Sequence, residues 1–132
     1  MAVRGTITDL LEAARRRIDR VEPAEAHRAM IEGHAILVDT RCADDRRAGG
    51  RVPGAIEIPL SVLYWRLDPA SGYNDPRLSD LTNHIVVMCA HGYSSSLAAA
   101  TLRDLGFARA TDVVGGFEGW VAAGLPVEAA AE

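Results

Sequence analysis

Apolar residues fall along this chain in short blocks whose spacing alternates between helical and extended. Ile7, Leu10, Leu11, Ala14, Ile18 and Val21 recur at helical intervals behind a Thr8-Asp9 cap, which predicts a first helix. Pro23 suits a first helical position, and Gly33 is a stop, so a second helix is expected from Pro23 to Ile31. Ala35 to Asp39 has the composition of a buried strand. Thr40 to Gly50 is polar, charged and Gly-ended, and is expected to be a loop. Val52-Pro53-Gly54 turns into a short strand, Ala55 to Ile58, which Pro59 ends. Ser61 then caps a short helix holding Val62, Leu63, Tyr64 and Trp65. Asp68 to Asp75 reads as a loop, and Pro76 to Leu81 as one helical turn or two.

Ile85 to Met88 is wholly apolar with no polar alternation, as in a strand buried on both faces of a parallel sheet. Ser94 to Ser96 offer capping hydroxyls, and Leu97, Ala98, Thr101, Leu102 and Leu105 follow at helical spacing up to Gly106. Ala110 to Val114 is a further strand. Gly115-Gly116 turns into a last helix around Phe117 to Ala123, closed by Gly124 and Pro126. The Ala-rich tail from Glu128 to Glu132 is expected to fray. Strand and helix in alternation with short links predict an α/β fold, with helices on both faces of a central parallel sheet. Ligands bind such sheets beyond the carboxyl ends of the strands, so the loops after Asp39, Ile58, Met88 and Val114 should converge on one edge.

Composition narrows the chemistry. A chain of 132 residues is enough for one domain with a real core, and a net charge of −4 leaves no footprint for nucleic acid. All 14 basic residues other than histidine are arginine, which excludes a Schiff-base lysine and a P-loop lysine. Two cysteines far apart make neither a disulfide framework nor a zinc site, so no metal and no cofactor is expected. The N-terminus lacks a signal peptide's apolar centre and no run is long enough to span a membrane, so a cytoplasmic protein is expected. Arg15, Arg16, Arg17 and Arg20 make the first helix strongly basic, either as a solvated face of an accessory helix or as a docking surface for an acidic partner.

Cys89 stands where the apolar strand ends, ahead of a Gly-containing loop that runs into a helix N-terminus. Unpaired backbone N–H groups there carry partial positive charge and suit an anion, and a thiol held among them reacts as thiolate. A lone cysteine after a strand is most often a small buried hydrophobe. The loop Cys89-Ala90-His91-Gly92-Tyr93-Ser94-Ser95 argues otherwise, because its small and polar residues are not those of a packed core. Ala90, His91, Gly92, Tyr93, Ser94 and Ser95 are therefore the candidate substrate-binding residues around Cys89. Asp39 and Arg41 are expected to pair at the sheet edge, Arg46, Arg47 and Arg51 to lie on a solvated loop, and Trp65 and Trp120 to pack. Cys42 falls on a loop of the same edge, where it is a candidate to resolve an oxidised Cys89.

With these residues in place the chain resembles a single-domain rhodanese, of the thiosulfate sulfurtransferase family. The resemblance runs over residues 22–127, leaving residues 1–21 as an N-terminal accessory helix and 128–132 as the tail. Its pieces come in order: Pro23-Ala24-Glu25-Ala26, Leu37-Val38-Asp39-Thr40-Arg41, Val52-Pro53-Gly54-Ala55-Ile56-Glu57-Ile58-Pro59, the Cys89 loop, Gly115-Gly116-Phe117-Glu118-Gly119-Trp120, and Gly124-Leu125-Pro126-Val127. Three features depart from the family pattern: Ser94 stands where many members have Arg, Gly50-Arg51 replaces a usual Gly-His, and Asp44 to Gly50 lacks the common acidic-aromatic character.

The resemblance implies a rhodanese-like fold and a sulfur relay in which Cys89 is the nucleophile. A sulfane sulfur would pass from thiosulfate or a persulfide donor to Cys89, and then to a thiol or to cyanide. The implied partners are a small anionic donor and a thiol acceptor, a thioredoxin-like protein among the candidates, with no nucleic acid and no membrane. Two rivals stand beside this. One is a non-turnover persulfide carrier or binding module. The other is a phosphatase of related fold, whose longer loop places Arg six residues after the Cys, where this chain has Ser95.

Overall fold

The structure, a computed structural model, describes residues 4–130. The apolar blocks become four strands, β1 (Ile36–Asp39), β2 (Ile56–Glu57), β3 (Ile85–Met88) and β4 (Thr111–Asp112). All pair in parallel, in the order β2-β1-β3-β4. The run without polar alternation takes a central position: Ile85, Val86, Val87 and Met88 are each at most 1% exposed. Full burial of one such side chain contributes about 1.5–3 kcal/mol, so β3 is the chief apolar investment of the sheet. Val21 adds one rung beyond β4, its N–H donating to Asp112 O and its carbonyl accepting from Val114 N–H.

Helices cover both faces. They are α1 (Ile7–Arg16), α2 (Pro23–Ile31), α3 (Ala43–Gly49), α4 (Leu63–Leu67), α5 (Ser94–Asp104) and α6 (Gly116–Ala122). Strand residues alternate between two cores, as the period of two requires. Val38, Ile85 and Val87 pack with Leu63, Leu67, Ala98 and Leu102 of α4 and α5. Leu37, Val86 and Met88 pack with Ala26, Phe117 and Trp120 of α2 and α6. α1 lies outside α5, bringing Ala14 and Ile18 into the core while Ile7 and Leu10 stay more than half exposed.

Several local expectations are corrected. The segment Thr40 to Gly50 is not all loop but contains α3, which buries none of its residues. It leaves no apolar stripe to detect; acidic residues in its first turn and arginines in its last complement the helix dipole instead. α1 is capped by Thr6, in a reciprocal capping box with Asp9, rather than at Thr8-Asp9. Ser61 does not cap: it lies within a 3-10 turn, Leu60–Val62, leading into α4. Of the two alternatives for Pro76 to Leu81 the shorter holds: a single turn, closed on the Asp75 carbonyl by Leu78 and Ser79 N–H. Trp65 is 54% exposed and does not pack into the core, whereas Trp120 is fully buried with Nε1 donating to Pro126 O at 2.9 Å. Glu128, placed in a frayed tail, exchanges both backbone hydrogen bonds with Arg51.

Candidate active site

The loop from Cys89 to Tyr93 joins β3 to α5, and neighbouring elements hold its carbonyls from outside. Phe117 N–H donates to Cys89 O at 2.7 Å and Glu118 N–H to Ala90 O at 3.1 Å, both from the first turn of α6. Arg15 and Arg20 donate to Gly92 O at 2.7 and 3.0 Å, and Ser96 N–H donates to Tyr93 O at 3.1 Å. In a planar trans peptide the N–H points opposite to the C=O. The amides of Ala90, His91, Tyr93 and Ser94 are therefore turned away from these partners, and none of the four donates to a backbone acceptor among the described residues, which leaves the curl of the loop with unspent donors. The Gly92 N–H donates to Cys89 Sγ at 3.1 Å.

Two glycine segments interlock to make this curl. Gly92 has φ of +84°, a conformation that costs an L-residue with a side chain, and a Cβ there would sit 2.8 Å from Gly115 N. Gly116, at φ +60°, approaches more closely still. A Cβ on it would collide with Cys89 O and lie 2.7 Å from Gly92 N and 2.9 Å from the Ala90 carbonyl carbon. The Gly115-Gly116 turn is thus the back wall of the loop as well as the start of α6.

Cys89 is 6% exposed and sits on the floor of the loop. Burial pushes its thiol up, but donors around the sulfur, the Ser94 hydroxyl and the Ser95 and Gly92 amides among them, outweigh that and hold it below the ordinary thiol value. The Ser95 hydroxyl has one hydrogen, and Asp112 Oδ2 takes it at 2.7 Å. The amides and the half-buried Ser94 are therefore the donors that remain free to serve a thiolate.

Asp112, on β4, is fully buried beneath the start of α5. It accepts from Ser95 Oγ and Ser96 Oγ, each at 2.7 Å, and from Nε and Nη2 of Arg20 at 2.9 and 3.1 Å. Arg15 Nε donates to Ser96 Oγ at 3.1 Å. The expected capping role of Ser94 to Ser96 is thus corrected: no side chain caps α5, whose N-cap is Tyr93, and two of the serines turn inward to a carboxylate. Asp112 was not legible as a site residue, and its one signal is a charged side chain in the short strand segment from Ala110 to Val114. The basic N-terminal stretch is likewise not simply solvated, since Arg15 of α1 and Arg20 just beyond it reach into the loop.

The remaining residues lie around this centre. His91 and Glu118 pair at the exposed rim, Nδ1 to Oε2 at 2.8 Å. Tyr93 is 62% exposed and, with Ser94, flanks an apolar groove of about 440 Å³ completed by Ile7, Thr8, Leu11 and Leu97. Asp39 and Arg41 pair at 2.9 Å in the interior, and the Arg41 guanidinium lies 3.6 Å from the centre of the Phe117 ring. Arg46 donates to Arg41 O and pairs with Glu57; Arg51 pairs with Glu57 at 3.2 Å, so neither is a loose surface cation. Arg47 is exposed and pairs with Asp44. Cys42 is an exposed free thiol at the N-cap of α3, and Cys89 is a buried free thiol.

The rhodanese-like domain model matches residues 22–123. The chain belongs to the rhodanese family. A thiosulfate sulfurtransferase of Actinobacillus pleuropneumoniae serotype 7 is 47% identical over 110 residues, covering 83% of this chain and 93% of that one. One from Actinobacillus succinogenes is 33% identical over the same share of this chain and 90% of its own. Among solved structures, a Rhodopseudomonas palustris protein described as a possible tyrosine phosphatase superposes with a TM-score of 0.87 at 29% identity, over 97% of this chain and 98% of that one. A human single-domain sulfurtransferase superposes at 0.66 with 28% identity, over 78% of this chain and 95% of its own.

Proposed function

We propose that this rhodanese is a thiosulfate sulfurtransferase working through a persulfide on Cys89. Its thiolate attacks the outer sulfur of thiosulfate, the bond to the sulfonyl sulfur breaks, and sulfite leaves with the electron pair. An acceptor thiolate then attacks the terminal sulfur of the anionic persulfide, takes it, and returns Cys89 as thiolate. This is covalent catalysis, two displacements in place of one. The observation that carries it is the Cys89 sulfur at the floor of a curl of backbone donors, below the ordinary thiol value, in a chain whose relatives bear that activity. Ala90 to Ser95 would hold the donor's oxygens and stabilise the persulfide. A thiol of a small molecule or of a thioredoxin-like protein would approach past His91 and Tyr93, both exposed at the rim, in the reducing cytoplasm.

Incubation with thiosulfate followed by intact mass should show one added sulfur, located on Cys89 and absent from Cys89→Ser. No added sulfur would refute the relay. Repeated turnover with free thiosulfate separates an enzyme from a dedicated carrier. Phosphoryl transfer is disfavoured, because the position six residues after the cysteine holds Ser95, whose hydroxyl is committed to Asp112.

A further inference from the structure

We infer that Arg15 and Arg20 are positioning residues of the sulfur-transfer site, holding the Gly92 carbonyl out of the anion-binding curl. This rests on Cys89 being the nucleophile. Both arginines precede the segment that matches the family, residues 22–123. Both nevertheless donate to the same backbone oxygen, Gly92 O, at 2.7 and 3.0 Å. Gly92 is also the residue whose N–H reaches Cys89 Sγ. A glycine at positive φ flanks a peptide that can turn over with little steric resistance. Turned over, the Gly92–Tyr93 unit would aim a carbonyl oxygen where a thiolate, a persulfide and thiosulfate all need donors. Two guanidiniums on that oxygen oppose the flip and keep the Tyr93 N–H on the opposite side.

The same arginines hold the frame. Arg20 grips both oxygens of buried Asp112, which anchors Ser95 and Ser96 at the start of α5. Arg15 bonds Ser96 Oγ and lies 5.7 Å from the centre of the Tyr93 ring. Loop, helix start and β4 are thereby locked by charges that stand behind the anion site, not inside it. The other ionisable groups near the loop are His91 with Glu118 at the rim and Asp39 with Arg41 at the end of β1.

The test uses Arg15→Ala, Arg15→Lys and the charge-balanced pair Arg20→Gln with Asp112→Asn, each first shown to be folded by its melting transition. The pH profile of Cys89 alkylation by iodoacetamide should move upward in Arg15→Ala and in the double variant. Thiosulfate kcat/KM should fall about tenfold to a hundredfold, the scale of a small misplacement at a reacting centre. Arg15→Lys should recover only part, since an ammonium lacks the planar fork that spans Ser96 Oγ and Gly92 O. Wild-type alkylation and kcat/KM in folded Arg15→Ala and in the double variant would overturn the inference. If Arg15→Ala does not fold, full wild-type behaviour in Arg15→Lys overturns it. Alkylation needs no sulfur donor. A wild-type protein that forms no persulfide therefore refutes the relay, while the shift in profile still decides the positioning.

Discussion

Gly116→Ala is the substitution for which the structure gives the clearest magnitude. Its φ of +60° costs an alanine about 1–2 kcal/mol. The added methyl meets the backbone of Cys89, Ala90 and Gly92, which is not a flexible side chain and cannot swing aside. Forcing extra volume into a packed site costs a further 1–3 kcal/mol or so, for a total of about 2–5 kcal/mol. Gly124→Ala is the control: its φ is also positive, at +72°, but nothing lies within 4 Å of the new carbon. It should lose only the backbone contribution, about 1–2 kcal/mol. Thermal melts should therefore rank wild type above Gly124→Ala above Gly116→Ala. Steady-state kinetics with thiosulfate should leave Gly124→Ala near wild type and cost Gly116→Ala about a hundredfold in kcat/KM, because its methyl pushes on the loop that carries Cys89, the proposed nucleophile. A folded Gly116→Ala with activity within twofold of wild type would show that the Gly115-Gly116 turn is not the wall that shapes the loop.

Cys89→Ser should abolish thiosulfate:cyanide transfer while Cys42→Ser keeps most of it; equal loss in both would rule out a single-cysteine relay. Because the folded Cys89 pKa lies below the unfolded one, its contribution to stability is present above the unfolded value and is lost as pH falls through the folded value. Urea unfolding under reducing conditions should show wild type gaining stability over Cys89→Ser as pH rises through that window, and a constant difference would contradict the sign. Ser94→Arg should lower the KM for thiosulfate with little change in kcat, since an ionic donor binds ground and transition states alike. An unchanged KM in the folded variant would mean that Ser94 does not face the donor.

The sheet was legible because its information is local. An apolar block such as Ile85 to Met88 has only one place in an α/β domain, and Pro23, Gly33 and Pro59 punctuate the elements around it. The misses share a cause: where tertiary bonds do the work of a local signal, the signal is absent. α3 buries none of its residues and has no apolar stripe, so no periodicity announces it. Serines ahead of a helix promise caps, yet a buried carboxylate from another strand outcompetes the helix for two of them.

The site divides along the same line. Strand end, cysteine, glycine and helix start are contiguous, so Cys89 and its donor curl could be read from one stretch of chain. Asp112, Gly116 and the two arginines come from three other segments, and only the topology brings them under the loop. Their placement answers the question raised by the neutral residue at position 94. An arginine inside the loop would bind an anion directly. Here the positive charge sits behind the peptide and acts through it: the carbonyl takes the guanidiniums, and the amide on its other side is left to the anion. A donor so built is weaker than an ion pair, while His91 and Tyr93 stay exposed at the rim. The proposed relay admits a small anion first and a thiol second, and this arrangement would serve both.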